Sequence, residues 1–189
     1  PPMTRRDLVK AAIAHRQTPR VPYRIQLCGP AWERLQPLVD ADSCEAFLDN
    51  DVAGVSPPWW TWHELAPDWR GMDPPASRPT VIGTGSYDGF TDRLKRLADE
   101  TDKYILVMIY GSHFEKAYFA RGIENLLADM AGEPEFAGRL HRTIIEKNLV
   151  MLENILHLPE IDGVLLGSDW GSQRDLLMSE SIWQDLIRP

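Results

Sequence analysis

The fold of this chain depends on one stretch, Tyr104-Ile-Leu-Val-Met-Ile-Tyr110, which is followed directly by Gly111-Ser112. The run is apolar throughout and lacks the alternation of a strand that faces water on one side. A strand of this kind is buried on both faces, as in a parallel sheet covered by helices. The stretch therefore predicts a central strand of an α/β protein.

Weaker strand patterns occur on both sides of this run. Residues 20–28 end at Gly29-Pro30, residues 51–55 end at Pro57-Pro58, and residues 161–166 lead into a loop rich in Gly and Ser. Gly and Pro mark turns because they fit backbone conformations that interrupt a strand. Since helical patterns separate these segments, we expect about four strands in a parallel sheet.

Helical periodicity fills the intervals. Thr4 with Asp7 resembles a capping box for a helix that ends near His15, and Ser43 is a suitable N-cap for residues 44–49. Further helices are predicted over residues 90–100, 113–119, 123–131, 134–156 and 181–187. Residues 56–79 lack periodicity and are rich in Trp and Pro, which predicts a loop that covers an apolar surface.

The alternation of strands and helices also predicts the location of a site. In α/β proteins, ligands bind beyond the carboxyl ends of the parallel strands. The expected ends are residues 26–30, 55–60, 110–115 and 167–174.

Composition limits the classes of function. The chain has 189 residues, with 20 Lys and Arg against 28 Asp and Glu, and a net charge of −8. Such an acidic chain repels phosphate groups, so we expect neither nucleic acid nor a membrane as a partner. Two cysteines are too few for a disulfide framework, and no apolar run suits a membrane span or a signal peptide. We expect one cytoplasmic domain, residues 1–189, in which Pro1-Pro2 is a remnant of cloning.

Three groups of residues together resemble the uroporphyrinogen decarboxylase superfamily. They are residues 3–16 with 19–22, residues 111–129 with Gly-Ser-His-Phe-Glu-Lys-Ala-Tyr-Phe-Ala-Arg-Gly, and residues 162–189 with Gly-Ser-Asp-Trp-Gly-Ser-Gln. They occur in the family's order. The resemblance implies a TIM barrel. It also implies either cofactor-free decarboxylation of a tetrapyrrole or zinc-dependent methyl transfer involving corrinoid carriers.

The length of the chain qualifies this resemblance. A TIM barrel has eight strands in typically about 250 residues, whereas four strand patterns fit this chain. We therefore expect the amino-terminal part of such a barrel, with about four parallel strands and covering helices.

Two positions separate the branches of the superfamily. The decarboxylases bind substrate carboxylates through an Arg-Gln-Ala-Gly-Arg motif, and Gln26 and Pro30 stand here at its arginine positions. Neither side chain can form a charge-assisted pair with a carboxylate. We therefore favour the methyltransferase-like branch, with a decarboxylase of tetrapyrrole biosynthesis as the alternative.

The candidate site follows from resemblance and from position. By resemblance, Asp51 matches an aspartate that meets the pyrrole nitrogens, Tyr118 matches the active-site tyrosine, and the decarboxylase serine falls at Ser168 or Asp169. Position at a strand end adds residues that could instead cap a turn or pack. We expect catalytic roles for Asp51, Tyr118 and Asp169, and substrate-binding roles for Gln26, His113, Ser168, Gln173 and Arg174.

The remaining Cys and His residues receive structural interpretations. The methyltransferases bind zinc through a His-x-Cys motif and a later Cys, and this chain has no His-x-Cys. We expect no metal or cofactor held by this chain alone, and zinc and a corrinoid methyl donor in the full-length enzyme. Cys28 lacks an evident base and is expected to be buried, whereas His15, His141 and His157 are expected to be solvated or to cap helices.

Two classes of function remain open. The chain is either part of an enzyme that needs the second barrel half, or a non-catalytic half-barrel that binds a ligand or assembles. A half-barrel leaves sheet edges unpaired, which predicts a homo-oligomer or a complementary half-barrel as a partner.

Overall fold

A computed structural model describes residues 2–58 and 87–188. Within these residues, one sheet contains the strands β1 (Val52–Val55), β2 (Tyr104–Ile109) and β3 (Gly163–Leu166), in the order β1-β2-β3. Both pairings are parallel, and each strand lies beside the next strand in the sequence. The predicted α/β class with a parallel sheet is therefore confirmed. The described residues form a three-stranded sheet and not a closed barrel.

Helices occupy most of the remaining described chain. Their bounds are α1 (Arg5–Ile13), α2 (Gly29–Leu35), α3 (Cys44–Leu48), α4 (Tyr87–Glu100), α5 (Phe114–Arg121), α6 (Ile123–Gly132), α7 (Pro134–Ile155) and α8 (Glu180–Ile182). A short 3₁₀ turn, Gln36–Leu38, follows α2, and a π-helical turn, Trp183–Ile187, continues α8.

The predicted caps form hydrogen bonds in the structure. Thr4 accepts the Asp7 backbone N–H at 3.0 Å and donates to the Asp7 carboxylate at 2.7 Å, which closes the start of α1. Ser43 accepts the backbone N–H of Ala46 at 3.1 Å and begins α3. These contacts satisfy N–H groups that a helix cannot pair internally.

Two apolar clusters hold the layers together. The sheet core joins β1 and β2 to α4 and the end of α7 through Val55, Phe90, Leu94, Ile105, Val107, Ile109, Met151 and Ile155. The helix core joins α5, α6 and the first half of α7 to Ile187 through Phe114, Ala117, Ala120, Leu126, Met130, Ala137, Leu140 and Ile144. Helix α5, which contributes to the helix core, begins shortly after the carboxyl end of β2.

Helix α1 is attached to the sheet by ion pairs. Arg6 Nε and Lys10 Nζ contact the Asp162 carboxylate at 2.9 and 2.7 Å, and Arg5 pairs with Asp49 at 2.6 Å. Asp162 lies immediately before β3 and also accepts the Ile105 backbone N–H at 2.9 Å. The carboxylate therefore joins α1, β2 and the start of β3 on one side of the sheet.

The expected first strand, residues 20–28, is wrong. This segment forms no strand. The side-chain amide of Asn50 takes the place of a neighbouring strand at Ile25, where it accepts the N–H at 2.7 Å and donates to the carbonyl at 2.9 Å. Pro22 has no N–H to contribute to a ladder. Gly29-Pro30 was expected only to end a strand, and instead it begins α2, where Pro suits the first turn.

Three further expectations concern Cys28, the Trp- and Pro-rich loop and membrane spans. Cys28 is exposed, so its predicted burial is wrong. The Trp- and Pro-rich loop is described only over residues 56–58, and its remainder lies outside the described residues. Among the described residues, no helix has both the length and the apolarity needed to cross a bilayer.

Candidate functional site

The carboxyl ends of β2 and β3 lie together, as parallel pairing requires. Gly167, just after β3, donates its N–H to the carbonyl of Ile109 at the end of β2, at 3.2 Å. Gly111 then turns the chain into α5 with φ +72°, and a Cβ at this position would lie 3.1 Å from that of Glu115. A residue with a side chain would be strained there. We call the edge formed by residues 110–118 and 167–170 the carboxyl edge.

Tyr118 and two carboxyl groups meet at the carboxyl edge. The Tyr118 hydroxyl donates to Glu115 Oε1 at 3.0 Å, and Glu115 is buried. Burial raises the pKa of Tyr118, and the hydrogen bond to Glu115 and the nearby Asp169 raise it further. Tyr118 therefore keeps its proton at neutral pH and serves as a hydrogen-bond donor. Asp169 itself is exposed.

An aromatic surface adjoins this group. Phe119 packs edge-to-face on Tyr118, with ring centroids 4.6 Å apart, and stacks on Tyr110 at 5.9 Å with 15° between the planes. Tyr110 is 46% exposed, so one ring of this surface is open to solvent. Such a surface can stack against a flat conjugated ligand.

His113 lies at the same junction and contacts a second imidazole. Its Nδ1 is 3.2 Å from the Ser112 hydroxyl, and its ring meets His141 of α7 edge-to-face at a centroid distance of 5.7 Å. Burial lowers the pKa of His113, and burial together with His113 lowers the pKa of His141 to about 4. Both rings are therefore neutral at neutral pH. His141 is 2% exposed, so the prediction that it is solvated or caps a helix is wrong.

A buried lysine lies behind this junction. Lys116 is fully buried, and its Nζ donates to Asn148 Oδ1 of α7 at 2.8 Å. Asn148 Nδ2 in turn donates to the carbonyl of Ser112 at 2.8 Å. Burial lowers the pKa of Lys116 to about 7, with Glu115 acting in the opposite direction.

The loop after β3 forms a short hairpin. Trp170 accepts the Leu177 N–H through its carbonyl at 2.9 Å and packs its ring on Trp183 at 5.8 Å. Within the described chain, the Ser168 hydroxyl is buried and has no hydrogen-bond partner. Gln173 and Arg174 lie at the exposed tip, between Ser172 and Asp175, whose main chains bond at 2.8 Å. Ser168 thus lies between β3 and the hairpin, whereas the other two residues lie at its tip.

Two predicted site residues lie elsewhere. Asp51 precedes β1, at the amino end of the sheet, where it is fully buried and makes a two-pronged ion pair with Arg20. Its carboxylate also accepts the Tyr23 N–H at 2.9 Å, and these hydrogen bonds hold its pKa below the usual range. Gln26 is exposed in the extended segment before α2. The structure thus brings Tyr118, Asp169, His113 and Ser168 to one edge, and Asp51 to the opposite one.

The described residues offer no zinc site. Within residues 2–58 and 87–188, no three His, Cys, Asp or Glu side chains are grouped so that they could hold a metal ion. The paired imidazoles of His113 and His141 are two nitrogen ligands at most, whereas protein zinc sites use at least three protein ligands. The residues described here therefore do not fit the zinc that the family resemblance implies.

Three buried polar residues of the site were missed from the sequence. They are Lys116, His141 and Asn148. The last two share a helical stripe with Ala137, Leu140, Ile144 and Met151, and this spacing marks the buried face of α7. A polar residue on an apolar stripe needs a buried partner, and that signal was available in the sequence. No comparable stripe singles out Lys116.

Comparison of the chain with models of protein families, with curated proteins and with solved structures gave no match. Kinship with the uroporphyrinogen decarboxylase superfamily therefore remains a prediction from the sequence motifs.

Proposed function

We propose that this chain is the amino-terminal part of a barrel enzyme of the uroporphyrinogen decarboxylase superfamily, in its corrinoid-dependent methyltransferase-like branch. The ligand is a corrinoid, and it binds at the carboxyl edge. The observation on which the proposal rests is the grouping of Tyr118, Glu115 and Asp169 at that edge, beside the exposed ring of Tyr110.

The topology supports a barrel origin. In a TIM barrel, successive strands are parallel neighbours joined by helices, and sites lie at the carboxyl end. β1, β2 and β3 follow this order. Further strands would extend the sheet from β3, which has no strand on its outer side among the described residues.

The state of Asp51 supports the methyltransferase-like branch. In a decarboxylase this aspartate would have to face the pyrrole nitrogens. Here its carboxylate is buried and engaged by Arg20 and by the Tyr23 N–H. Releasing it would leave a charge-assisted hydrogen bond unmade, which is costly in a buried site.

The charge of the carboxyl edge supports the same choice. Uroporphyrinogen carries carboxylates around its ring, whereas a corrinoid carries mostly neutral amides. Asp169 and Glu115 supply carboxyl groups there, and like charges disfavour a polycarboxylate ligand. Amides can donate to Asp169, and the flat ring can stack on Tyr110.

The chain does not supply all of the chemistry. In this branch, zinc would activate a thiol, and the described residues do not fit zinc. The residues of this chain are assigned to binding: the Tyr118 oxygen accepts a hydrogen bond while its proton is donated to Glu115, Asp169 accepts another, and the aromatic surface holds the ring. The remaining steps belong to the part of the enzyme that supplies the metal ligands.

A titration of the purified chain with hydroxocobalamin, followed by absorbance, tests the proposal. We expect saturable binding that weakens about tenfold in Asp169→Asn, which removes the charge of the acceptor, and in Tyr118→Phe, which removes the hydroxyl acceptor. Asp99→Asn, on the exposed face of α4, and Tyr23→Phe, on the amino side, are the matched controls and should bind as the unaltered chain does.

Uroporphyrinogen is the competing ligand. The chain is incubated with it anaerobically, and loss of carboxyl groups is followed by chromatography. Decarboxylation, or binding of uroporphyrin without binding of hydroxocobalamin, would contradict the choice of branch. Hydroxocobalamin binding that is unaffected by both variants would contradict the proposed site.

A non-catalytic assembly module is the second candidate. It is favoured by β3, where Leu165 and Leu166 are 40% and 59% exposed at the edge of the sheet. An open apolar strand edge promotes association. The two candidates are compatible if a second chain completes the enzyme.

A further inference from the structure

Lys116 is placed where a lysine is rarely found. It is fully buried between α5 and α7, among the apolar residues Phe114 and Ala117. Replacing a buried polar pair by apolar residues of similar size is often neutral or stabilising. Packing alone therefore does not account for a lysine at this position.

The hydrogen bonds of Lys116 lead to the candidate site. Nζ donates to Asn148 Oδ1, and Asn148 Nδ2 donates to the Ser112 carbonyl, each at 2.8 Å. The Asn148 amide can serve both partners in one orientation only, since its oxygen must face the amine and its nitrogen the carbonyl. We call this chain of bonds the Lys116–Asn148 strap. It ties the turn between β2 and α5 to α7.

The strap reaches the residues that form the carboxyl edge. Ser112 precedes His113, and the Gly111 carbonyl accepts the Lys116 N–H at 3.0 Å. Glu115 and Tyr118 occupy the first turns of the same helix. A shift of this turn would therefore move Glu115 and Tyr118, whose side chains form a hydrogen bond of 3.0 Å.

We propose that Lys116 and Asn148 are positioning residues, which hold the turn at residues 111–113 so that Glu115 and Tyr118 keep the arrangement of the candidate site. This inference rests on the proposed function for the identity of the ligand. The strap itself can be tested without any ligand.

Protonation gives the strap a distinguishing property. The pKa of Lys116 is lowered to about 7, so the amine gains a proton near neutrality. Among the described residues, the titratable groups near it include Glu115 on the same helix and His113 at its start, with His141 of α7 behind His113. Since burial disfavours an ammonium more than a neutral amine, we expect protonation to open the turn.

The test compares hydrogen exchange in the turn peptide, residues 110–118, between the unaltered chain and the double variant Lys116→Met/Asn148→Leu. The matched control is Arg121→Met/Asp129→Leu, which removes a pair with a 2.6 Å contact at the far end of α5. We expect the strap variant to remain folded, with a Tm no lower than that of the control. Its exchange in this peptide should be about tenfold faster than in the unaltered chain.

The pH profile separates positioning from simple packing. After correction for intrinsic rates, exchange of the turn in the unaltered chain should rise as the pH falls through about 7, and the strap variant should lack this step. In Asn148→Asp, a carboxylate would hold the amine and repel the Ser112 carbonyl. The step should therefore move to higher pH, and exchange of the turn should be faster than in the unaltered chain on both sides of the step, because the bond to the Ser112 carbonyl is lost.

The outcomes are distinct. Unchanged exchange in both variants, or the same pH profile in all chains, would overturn the strap. If the double variant unfolds, Asn148→Asp decides by the same two readouts. Loss of the strap should also weaken hydroxocobalamin binding about tenfold. Absence of binding in the unaltered chain, with the exchange results as expected, would refute the proposed function and leave the strap in place.

Discussion

Burial in the interior changes the pKa values of two histidines that contact each other. His113 and His141 lie edge-to-face, and the ring nitrogens of His141 make no hydrogen bond of normal geometry within the described chain. Backbone groups of Leu186 and Ile187 lie near the two rings and favour their protonated forms. Burial outweighs this effect, so the pKa values of both residues fall.

These pKa values predict loss of stability in mild acid. The pKa of His141 is about 4 in the folded chain against 6.5 for an ordinary histidine. As the pH falls below 6.5, the unfolded chain takes up the proton first. The free energy of unfolding should therefore decrease between pH 6.5 and 4, by at most about 3 kcal/mol from this residue.

Urea denaturation at several pH values measures the effect. His141→Phe should flatten the decrease, because phenylalanine fills the site without a titratable group. His157→Gln, at an exposed position, should keep it. Equal slopes in His141→Phe and the unaltered chain would show that His141 does not depress stability in acid.

The positions of individual site residues could be predicted from the sequence only in part. His113, Ser168 and Asp169 were placed at one edge because strand ends can be located from apolar runs, whereas Tyr118 was predicted from the family resemblance. The ionic partner of Asp51 could not be foreseen, since Arg20 was assigned to a strand. Cys28 is exposed because it precedes α2, in which no residue is buried. The sequence signal for the start of that helix was the Gly29-Pro30 pair, which also fits the end of a strand.

At the scale of elements, close packing between β2 and β3 depends on one glycine. A Cβ on Gly163 would lie 2.6 Å from the Tyr104 hydroxyl oxygen, which donates to the Asp162 carbonyl at 2.7 Å. The first residue of β3 therefore has room for a hydrogen atom on its Cα but not for a methyl group.

Gly163→Ala should lower the free energy of unfolding by about 1–3 kcal/mol, because the tyrosine must move from its bonded position. Gly132→Ala is the control, since no atom lies within 4 Å of the Cβ it would add. Tyr104→Phe in the Gly163→Ala background should recover part of the loss by removing the hydroxyl. No recovery in a urea double-mutant cycle would place the cause elsewhere.

Elements with strong local signals were predicted well. The three strands of the described sheet and the capped helices α1 and α3 lie within a few residues of expectation. The failure at residues 20–28 has a tertiary cause. The apolar pattern suited a strand, but Ile25 bonds to the side chain of Asn50, and the Asp51 N–H supplies a main-chain bond only to the Tyr23 carbonyl. Sequence periodicity carries no information about a side chain that takes the place of a neighbouring strand.

At the scale of the whole molecule, the open edge of β3 predicts self-association. Light scattering of the unaltered chain should give a mass above that of the monomer, because Leu166 is 59% exposed beside an unpaired strand edge in the described residues. Leu166→Lys should shift the chain toward the monomer, since a charged side chain protects a strand edge.

Leu38→Lys, at an 80% exposed position outside the sheet, is the control and should leave the mass unchanged. A monomer at every concentration would argue against assembly through β3. The sequence predicted parallel strands and an open sheet, but it could not show which strand lies at the edge. That depends on the order in which strands pair.

Helix α1 is held by carboxylates that become available at different times during synthesis. Asp49, which pairs with Arg5, precedes all three strands in the sequence, whereas Asp162, which pairs with Arg6 and Lys10, lies directly before β3. Until the start of β3 has been translated, the first helix of the chain has only part of its anchorage. Complete docking of α1 therefore requires that the start of β3 be in place.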